Sequence, residues 1–208
     1  ISFCTPVVFQ SSNTSDPDVT YSPTAEKVLV AYRNVGDTNK GKAVVGTVSG
    51  TSISFGSIAQ FDTQVNHVTI SYLGTTRDKF CIYYQDIQAT SKHTDAIIAT
   101  ISGTSVSFGS VNRISPDTST SGEIASNGRA VYDTKNDRMI FTWSETDNGG
   151  HAIVGTVSGT SVSVSGGGTV FSSEPIDSPI GVVFDENVGK VLIFYRETVG
   201  GTRVRKFI

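Results

Sequence analysis

The sequence predicts an all-β fold built from four copies of one structural unit, and three observations support this. The chain contains 25 Val and 17 Ile but only 3 Leu, and β-branched residues favour strands whereas Leu is common in helix cores. One segment occurs three times almost unchanged, and its spacing divides the 208 residues into four units of roughly 52. Because 37% of the residues are hydrophobic and 17% are charged, we expect one ordered domain over 1–208.

The repeated segment is a predicted hairpin: an apolar strand, a Ser-Gly-Thr turn and an alternating strand. A second motif, an apolar strand that begins with Lys or Arg, occurs four times. Its first two copies place Val28 and Phe80 at matching positions 52 residues apart. The hairpins are Ala43–Ser57, Ala96–Ser110 and Ala152–Gly166, and the other strands are Lys27–Arg33, Lys79–Gln85, Arg138–Ser144 and Lys190–Arg196.

Each unit is predicted to contain four antiparallel strands, which we call A to D. In the first unit they lie near Asp18–Ser22 (A) and at Lys27–Arg33 (B), Lys42–Ser49 (C) and Thr51–Phe61 (D). Four-stranded antiparallel units repeated at a spacing of this order are typical of the blades of a β-propeller, whose strands A line a central channel. Strand B is apolar on both faces, as we expect for a blade covered by a neighbour on each side.

The fourth unit lacks strand D, and the N-terminus is predicted to supply it. Ile208 aligns with Val48 inside strand C, whereas Ile1 aligns with Ile53 inside strand D. We therefore expect a four-bladed propeller whose ring is closed by the N-terminal strand, which leaves no free sheet edge. The predicted boundaries are 1–9 (strand D of blade four), 10–61 (blade one), 62–114 (blade two), 115–171 (blade three) and 172–208 (strands A to C of blade four).

The GTVSGTSISFG repeat, with its Tyr-Asp turn and its KVLVAYR-type strand, resembles tandem propeller repeats in uncharacterised proteins of marine viruses, bacteria and protists. The resemblance covers essentially the whole chain. It implies the fold and no activity. The sequence does not show the blade signatures of hemopexin-like domains or seed albumins, so no ligand is carried over from those propellers.

The strand order assigns the connections to two faces of the propeller. The A–B and C–D connections are short, nearly identical turns, and we call their side the turn face. The B–C and D–A connections are longer and dissimilar, and we call their side the loop face. Because binding residues concentrate in variable loops on a rigid scaffold, we expect any ligand on the loop face.

The end of each strand B places an aromatic residue and one or two polar residues at the loop face. Aromatic rings can stack on a sugar, Arg and carboxylate groups can bond to its hydroxyls, and four copies would act multivalently. The alternative is that the rings form the core between blades, with Arg33 and Arg196 paired to nearby acids. The predicted ligand-binding residues are Tyr32, Arg33, Tyr84, Asp86, Trp143, Glu145, Tyr195 and Arg196.

The mouth of the central channel is a second candidate site. A narrow channel can hold an ion on carbonyl and carboxylate oxygens, or a column of ordered water, and both alternatives stay open. We expect no cofactor, and no metal is assigned. The three histidines His67, His93 and His151 show no short metal-binding spacing and are expected to be separate and exposed. The channel-mouth residues are Asp16, Asp18, His67, Asn127, Arg129 and Asp177.

These patterns favour a lectin-like carbohydrate-binding module over a structural or adhesive scaffold, such as part of a viral fibre, and over a glycoside hydrolase. No Gly-x-Ser-x-Gly, phosphate-loop or HExxH motif is present, so an enzyme is not expected. A net charge of −3 argues against nucleic-acid binding, and no apolar run approaches the roughly 18 residues of a membrane helix. We expect a secreted or particle-surface protein whose partner is a glycan or glycoprotein surface; the oligomeric state is left open.

The two cysteines are not expected to bond to each other. Cys4 aligns with Gly56 and so lies on the outermost strand of blade four, whereas Cys81 aligns with Leu29 in strand B of blade two. These blades are opposite each other in a ring of four, and a disulfide requires Cα atoms within about 7 Å. Cys81 is predicted to be a buried thiol.

Overall fold

The computed structural model describes residues 5–88, 92–115, 126–145, 149–176 and 180–208, with only the backbone of 126 and 127. The strands in these ranges form four separate antiparallel sheets that follow one another along the chain. The helices there are a short 3-10 helix, Val35–Asp37, and one turn of α-helix, α1 (Gly74–Arg77). Neither has the length or the apolar character needed to cross a membrane.

We call the four sheets blades one to four. Blade one contains β1 (Thr14–Ser22), β2 (Lys27–Asn34), β3 (Lys40–Ser49), β4 (Ser52–Phe55) and β5 (Ala59–Asp62), and blade two contains β6 (Val65–Tyr72), β7 (Phe80–Asp86), β8 (His93–Ser102), β9 (Ser105–Phe108) and β10 (Asn112–Arg113). Blade three contains β11 (Ser126–Asp133), β12 (Arg138–Glu145), β13 (Gly149–Ser158), β14 (Ser161–Val164) and β15 (Thr169–Ser172), and blade four contains β16 (Gly181–Asp185), β17 (Lys190–Val199) and β18 (Thr202–Phe207).

Strand D of blades one to three is two short strands rather than the single strand expected at Thr51–Phe61. In blade one, β4 and β5 both pair with β3, on either side of an interruption at Gly56. The Gly56 amide donates a hydrogen bond to the carbonyl of Val45 (2.9 Å). The interruption brings the backbone against blade two, since a Cβ on Gly56 would lie 1.9 Å from the carbonyl oxygen of Thr104.

Strand A of blades one to three carries a β-bulge near its loop-face end. In the first two bulges Asp16 and His67 have φ angles of 51° and 48°, in the left-handed region. A bulge bends the strand and re-aims its side chains, which turns these residues toward the mouth of the channel. The register shifts lie between Ser15 and Asp18, between Asn66 and Thr69, and between Ser126 and Arg129.

The blades pack face to face through apolar side chains. Leu29 of β2 shares one buried cluster with Phe80 and Ile82 of β7. The opposite face of β7 contributes Cys81 and Tyr83 to the buried cluster that blade two shares with blade three. Strand B of blade two is therefore covered on both faces, which confirms the prediction made from its composition.

Cys81 is fully buried in this second cluster. Burial raises the pKa of its thiol, because the charged thiolate is poorly solvated in an apolar core. The prediction of a buried thiol is confirmed. Cys4 lies outside the described residues, so its state stays a prediction.

The inner strands line an open central cavity of about 620 Å³. They contact one another in chain order, β1 to β6 to β11 to β16. The Asp18 carboxylate of β1 accepts a hydrogen bond from the Ile70 amide of β6 (2.8 Å), and the Ser71 hydroxyl donates to the Ala130 carbonyl of β11 (2.6 Å). Sheets arranged around a shared cavity in this way form a β-propeller, as predicted. The inner strands contribute Thr20, Ile70, Val131 and Phe184 to its lining.

Blade four departs from the predicted alignment of its last strand. Ile208 exchanges two backbone hydrogen bonds with Ile193 (2.9 and 3.0 Å), whose counterpart Val30 in blade one pairs with Val44. Ile208 therefore takes the position of Val44 and not that of Val48. The reason is the turn: Gly200 and Gly201 both have positive φ and close a two-residue hairpin. The B–C connection of this blade was expected to be a longer loop, but β17 continues to Val199.

The described part of the N-terminal segment, residues 5–9, contains no strand, and residues 1–4 lie outside the described ranges. Blade four accordingly has three strands in the described residues. Closure of the ring by a strand at 1–9 stays a prediction.

Candidate functional site

Three of the four aromatic residues predicted to bind ligand, Tyr84, Trp143 and Tyr195, are packed between blades, whereas Tyr32 packs against Phe9 of the N-terminal segment. Tyr32, Tyr84 and Trp143 are at most 1% exposed, and Tyr195 is 9% exposed. Because no ring presents an open face, the expected stacking on a sugar is not what this geometry provides. The alternative considered for these residues, rings that form the core between blades, describes the positions of Tyr84, Trp143 and Tyr195.

Each ring is held by a neighbour from the end of the preceding strand D or from its own strand. The rings of Phe61 and Tyr84 lie 5.2 Å apart, and the Tyr84 hydroxyl donates to the Asp62 carboxylate (2.6 Å). Burial and, secondly, the charge of Asp62 raise the pKa of Tyr84. The Trp143 indole donates to Glu145 (2.9 Å), one of the predicted ligand residues. Rings and polar partners together close the blade interfaces beneath the loop face.

The channel mouth gathers charged residues from three blades. The Arg33 Nε lies 2.7 Å from the Ser15 hydroxyl and 3.2 Å from the Asp16 carboxylate. Burial lowers the pKa of His67; the charge of Asp16 opposes this, and those of Arg33 and Arg129 add to it. Asp16 and Arg129 are therefore both close enough to His67 to influence its charge.

The other predicted residues of the two sites are placed differently. Asp18 bridges β1 and β6 below the mouth, through the hydrogen bond to Ile70. Arg196 is half-buried on β17, opposite Arg205 of β18. The side chain of Asn127 and the whole of Asp177 lie outside the described residues.

A polar cleft of about 300 Å³ opens between blades three and four on the loop face. Glu197 lies at the base of the cleft and is 1% exposed. Its carboxylate accepts a hydrogen bond from the Ser172 hydroxyl (2.6 Å) and forms an ion pair with Lys206. The ion pair first, and then the hydrogen bond, lower the pKa of Glu197. The residues that line the cleft are Phe171, Ser172, Ser173, Glu174, Tyr195, Glu197, Val199 and Lys206.

Glu197 was not among the predicted site residues, although one signal pointed to it. It lies two residues after the strand-B aromatic residue Tyr195, just as the predicted residues Asp86 and Glu145 lie two residues after Tyr84 and Trp143. Nothing in the sequence indicated that Lys206 would lie at the site, because its pairing with Tyr195 depends on the hairpin turn at Gly200.

The histidines are not the separate exposed residues that the sequence suggested. His93 is 2% exposed, and its Nε2 lies 3.4 Å from carboxylate oxygens of both Asp86 and Asp95. His151 stacks on Trp143 with ring centroids 5.3 Å apart and lies 3.5 Å from Glu145. Burial, as the main cause, raises the pKa of Asp86. No short His-x-His spacing marks this cluster in the sequence, because the cluster forms across a hairpin.

No protein-family model matches the chain, and no curated protein sequence does. Among solved structures, a fungal lectin from Aleuria aurantia, described as a six-bladed β-propeller with a novel fucose recognition mode, superposes with a TM-score of 0.52 and 14% identity over 92% of this chain. The Trypanosoma rangeli sialidase, solved with sialic acid, superposes with a TM-score of 0.57 and 12% identity over 94% of this chain.

The present chain spans only part of these proteins, 61% of the lectin and 36% of the sialidase. At such identities the similarity concerns the fold, and it agrees with the radial arrangement of sheets around the central cavity. The chain has the all-β propeller fold.

Proposed function

We propose that this propeller is a carbohydrate-binding module whose sites are clefts between neighbouring blades on its loop face. The cleft between blades three and four carries the proposal. It presents a carboxylate, an ammonium group and hydroxyls on rigid strands, with Glu197 fixed by Ser172 and Lys206. Such charged groups form strong, directional hydrogen bonds with the hydroxyls of a sugar.

Related chemistry recurs between blades one and two, which would make the module multivalent. Asp62 at the end of β5 accepts hydrogen bonds from Tyr84 (2.6 Å) and from the amide of Gln88 (2.8 Å). Weak sites repeated on one rigid face bind an array of glycans more tightly than each site alone. The partner is then a glycan or glycoprotein surface, and the module acts outside the cell or on a particle surface.

The structural neighbours support a sugar ligand without naming one. The lectin is described as recognising fucose and the sialidase was solved with sialic acid, so propellers of this general fold hold sugars in more than one way. The buried rings Tyr32, Tyr84 and Trp143 support the second candidate function, a structural or adhesive scaffold, since they leave no aromatic platform on the face.

We also propose that the ring has four blades and that the N-terminal segment completes blade four. Phe9 packs against Tyr32 with ring centroids 5.2 Å apart, and Phe61 packs against Tyr84 at the same distance one blade further on. Gln10, next to Phe9, donates to the Tyr32 hydroxyl (3.3 Å). Phe9 thus packs on blade one as the end of a preceding strand D would.

The test is a glycan array that includes fucosylated and sialylated oligosaccharides, followed by calorimetric titration of any hit. Glu197→Gln keeps the shape of the side chain and removes its charge, so we expect at least tenfold weaker binding. Glu174→Gln, at the rim of the same cleft, is a second variant that still tests the site if Glu197→Gln does not fold. Glu186→Gln on the turn face is the matched control and should bind normally.

A silent array would support the scaffold instead, whereas binding that survives both cleft variants would show that the sugar site is not the cleft between blades three and four. Release of reducing sugar from a bound oligosaccharide would assign the cleft to a glycoside hydrolase, since Glu174 and Glu197 both line it.

A further inference from the structure

The loop-face end of blade two holds a histidine between two carboxylates, built by a single hairpin. Asp86 at the end of β7 pairs directly with His93 at the start of β8, and Tyr84 pairs with Asp95 two positions along. Side chains at alternate positions lie on the same face of a strand, so His93 and Asp95 face the same way as Asp86. We propose that Asp86, His93 and Asp95 form a binding site for a divalent cation of the zinc class.

The distances fit a metal centre. The His93 Nε2 is 3.4 Å from an oxygen of Asp86 and 3.4 Å from an oxygen of Asp95, and the three donor atoms all lie within 4.8 Å of one another. A tetrahedral zinc ion with bonds of about 2.1 Å holds its ligands about 3.4 Å apart. One imidazole and two carboxylates suit zinc and similar transition ions better than calcium, which takes oxygen ligands.

Burial gives an independent reason to expect a cation. Asp95 is 5% exposed, and its Oδ1 has no hydrogen-bond partner among the described residues. A buried carboxylate oxygen without a partner is costly, and a metal ion coordinated by this carboxylate would offset that cost. The half-buried Asp86 leaves one side of the cluster toward solvent, where water could complete the coordination of the ion.

Arg113 is the competitor for this position. Its Nη2 lies 2.9 Å from the His93 Nε2, and Arg113 pairs with Asp95 across the β8–β10 ladder. A guanidinium group can only donate, so in this contact Nε2 would have to accept, and a metal ion would compete with Arg113 for the same lone pair. Arg113 is exposed on a two-residue strand, and an ion that binds here would have to displace its guanidinium group from His93.

The same three positions in blade one show what the site looks like without these ligands. They hold Asn34, Lys40 and Lys42, and both ammonium groups bind Asp37 (2.9 and 2.5 Å). In blade one, the ammonium groups of Lys40 and Lys42 therefore provide the positive charge that a metal ion would provide in blade two. In the described residues, blade two alone combines one imidazole with two carboxylates at these positions.

The site is tested by titrating the EDTA-treated protein with Zn²⁺ in a calorimeter and with Co²⁺ in a spectrophotometer. We expect one equivalent to bind, with the visible absorption of tetrahedral Co²⁺. Asp95→Asn and His93→Gln should each weaken binding at least tenfold, whereas Arg113→Ala should tighten it several-fold because it removes the competing charge. His151→Gln in blade three is the matched histidine control and should bind as the parent does.

Thermal melting with and without Zn²⁺ shows whether each variant is folded and whether the ion stabilises it. Absence of binding by both the parent and the folded Arg113→Ala variant would overturn the proposal and leave Arg113 as the permanent counter-ion. Equal affinity in the parent and in Asp95→Asn would overturn it as well. The outcome does not depend on whether the loop face binds sugar.

Discussion

Glycine stands opposite phenylalanine where strand C passes beneath the end of strand D. A Cβ on Gly41 would lie 2.4 Å from the ring of Phe61. Blade two has Thr94 in place of the glycine and Ile114 in place of the phenylalanine. The two pairs fill the same space in different ways, because a ring takes the volume that a side chain on strand C would need. Blade three repeats the first pair with Gly150 and Phe171.

Exchanging the pair tests this packing. Gly41→Thr alone should destabilise the protein by about 1–3 kcal/mol through overpacking, and Phe61→Ile alone by a similar amount through lost burial. The double variant should lose less stability than the two single variants together, by at least about 1 kcal/mol in the free energy of unfolding measured with urea. Strictly additive costs would show that the two sites do not share space. Gly167→Ala, whose Cβ would have no neighbour within 4 Å, is the control.

At the scale of single residues, the sequence indicated the positions of the strand-B aromatic residues but not their burial. It placed Tyr84 and Trp143 at the loop-face ends of strand B, but a Tyr or Trp suits either a blade interface or an open surface, because one end is apolar and the other polar. The cluster at His93 was missed because its residues come from both strands of a hairpin. The one local signal was the alternation of His93 and Asp95 on a single strand.

The break in strand D determines how closely two blades approach. A Cβ on Gly56 would lie 1.9 Å from the carbonyl oxygen of Thr104, and one on Gly109 would lie 1.8 Å from that of Thr160. Both contacts are with backbone of the next blade's C–D turn, which cannot rotate away as a side chain can. The repeated glycine is therefore an interface residue, although the sequence placed it inside a continuous strand D.

Gly56→Ala and Gly109→Ala should each destabilise the protein by at least about 1–3 kcal/mol, because the blades must separate to admit a methyl group. The measurement is thermal and urea unfolding of each variant beside Gly167→Ala, which adds the same methyl group in open space and should change little. If Gly56→Ala melts with the parent, the blades do not approach as closely as the structure shows.

An ion pair on the turn face links blades two and three and gives a pH dependence. Arg77 and, secondly, the hydroxyl of Tyr132 lower the pKa of Asp137 from 3.8 to about 2. A carboxyl whose pKa is lower in the folded state stabilises the fold above pH 4, and the contribution is lost as the pH falls toward 2.

Because the Asp137 side chain is half-exposed, its contribution is expected to stay within about 1 kcal/mol. Urea unfolding at pH 5 and at pH 2.5 should show a smaller drop in stability for Asp137→Asn than for the parent. Arg77→Met should reduce the drop in the same way. An unchanged drop in both variants would mean that the pair does not persist in solution.

For the whole molecule, the repeat predicted the number of sheets, their chain order and the channel-lining role of strand A. It did so because each unit contains its own strands and turns, so that local sequence is enough. The fourth blade was aligned less well, since Gly200 and Gly201 shorten a connection that is longer in other blades. Closure of the ring was predicted from the split repeat, and it stays a prediction because residues 1–4 lie outside the described ranges.

The two end blades present apolar residues on their outer faces. On blade one, Val19 and Tyr21 are 57% and 50% exposed, on the face turned away from blade two. On blade four, Phe194 and Phe207 are 46% and 72% exposed, on the face turned away from blade three. A ring of four blades would bring these faces together and bury them, which gives closure a thermodynamic reason.

Closure through the N-terminal segment is tested by deleting residues 1–9. The deletion removes Phe9 from its contact with Tyr32 and exposes the edge of blade four, so we expect a loss of several kcal/mol in urea unfolding. Phe9→Ala should account for about 1–3 kcal/mol of this loss. Val8→Ala is the matched control, because Val8 is 78% exposed and its loss should have little effect. If the truncated protein melts within about one degree of the full chain, the segment does not complete blade four. If Phe9→Ala alone accounts for the whole loss, the segment packs on blade one without pairing as a strand.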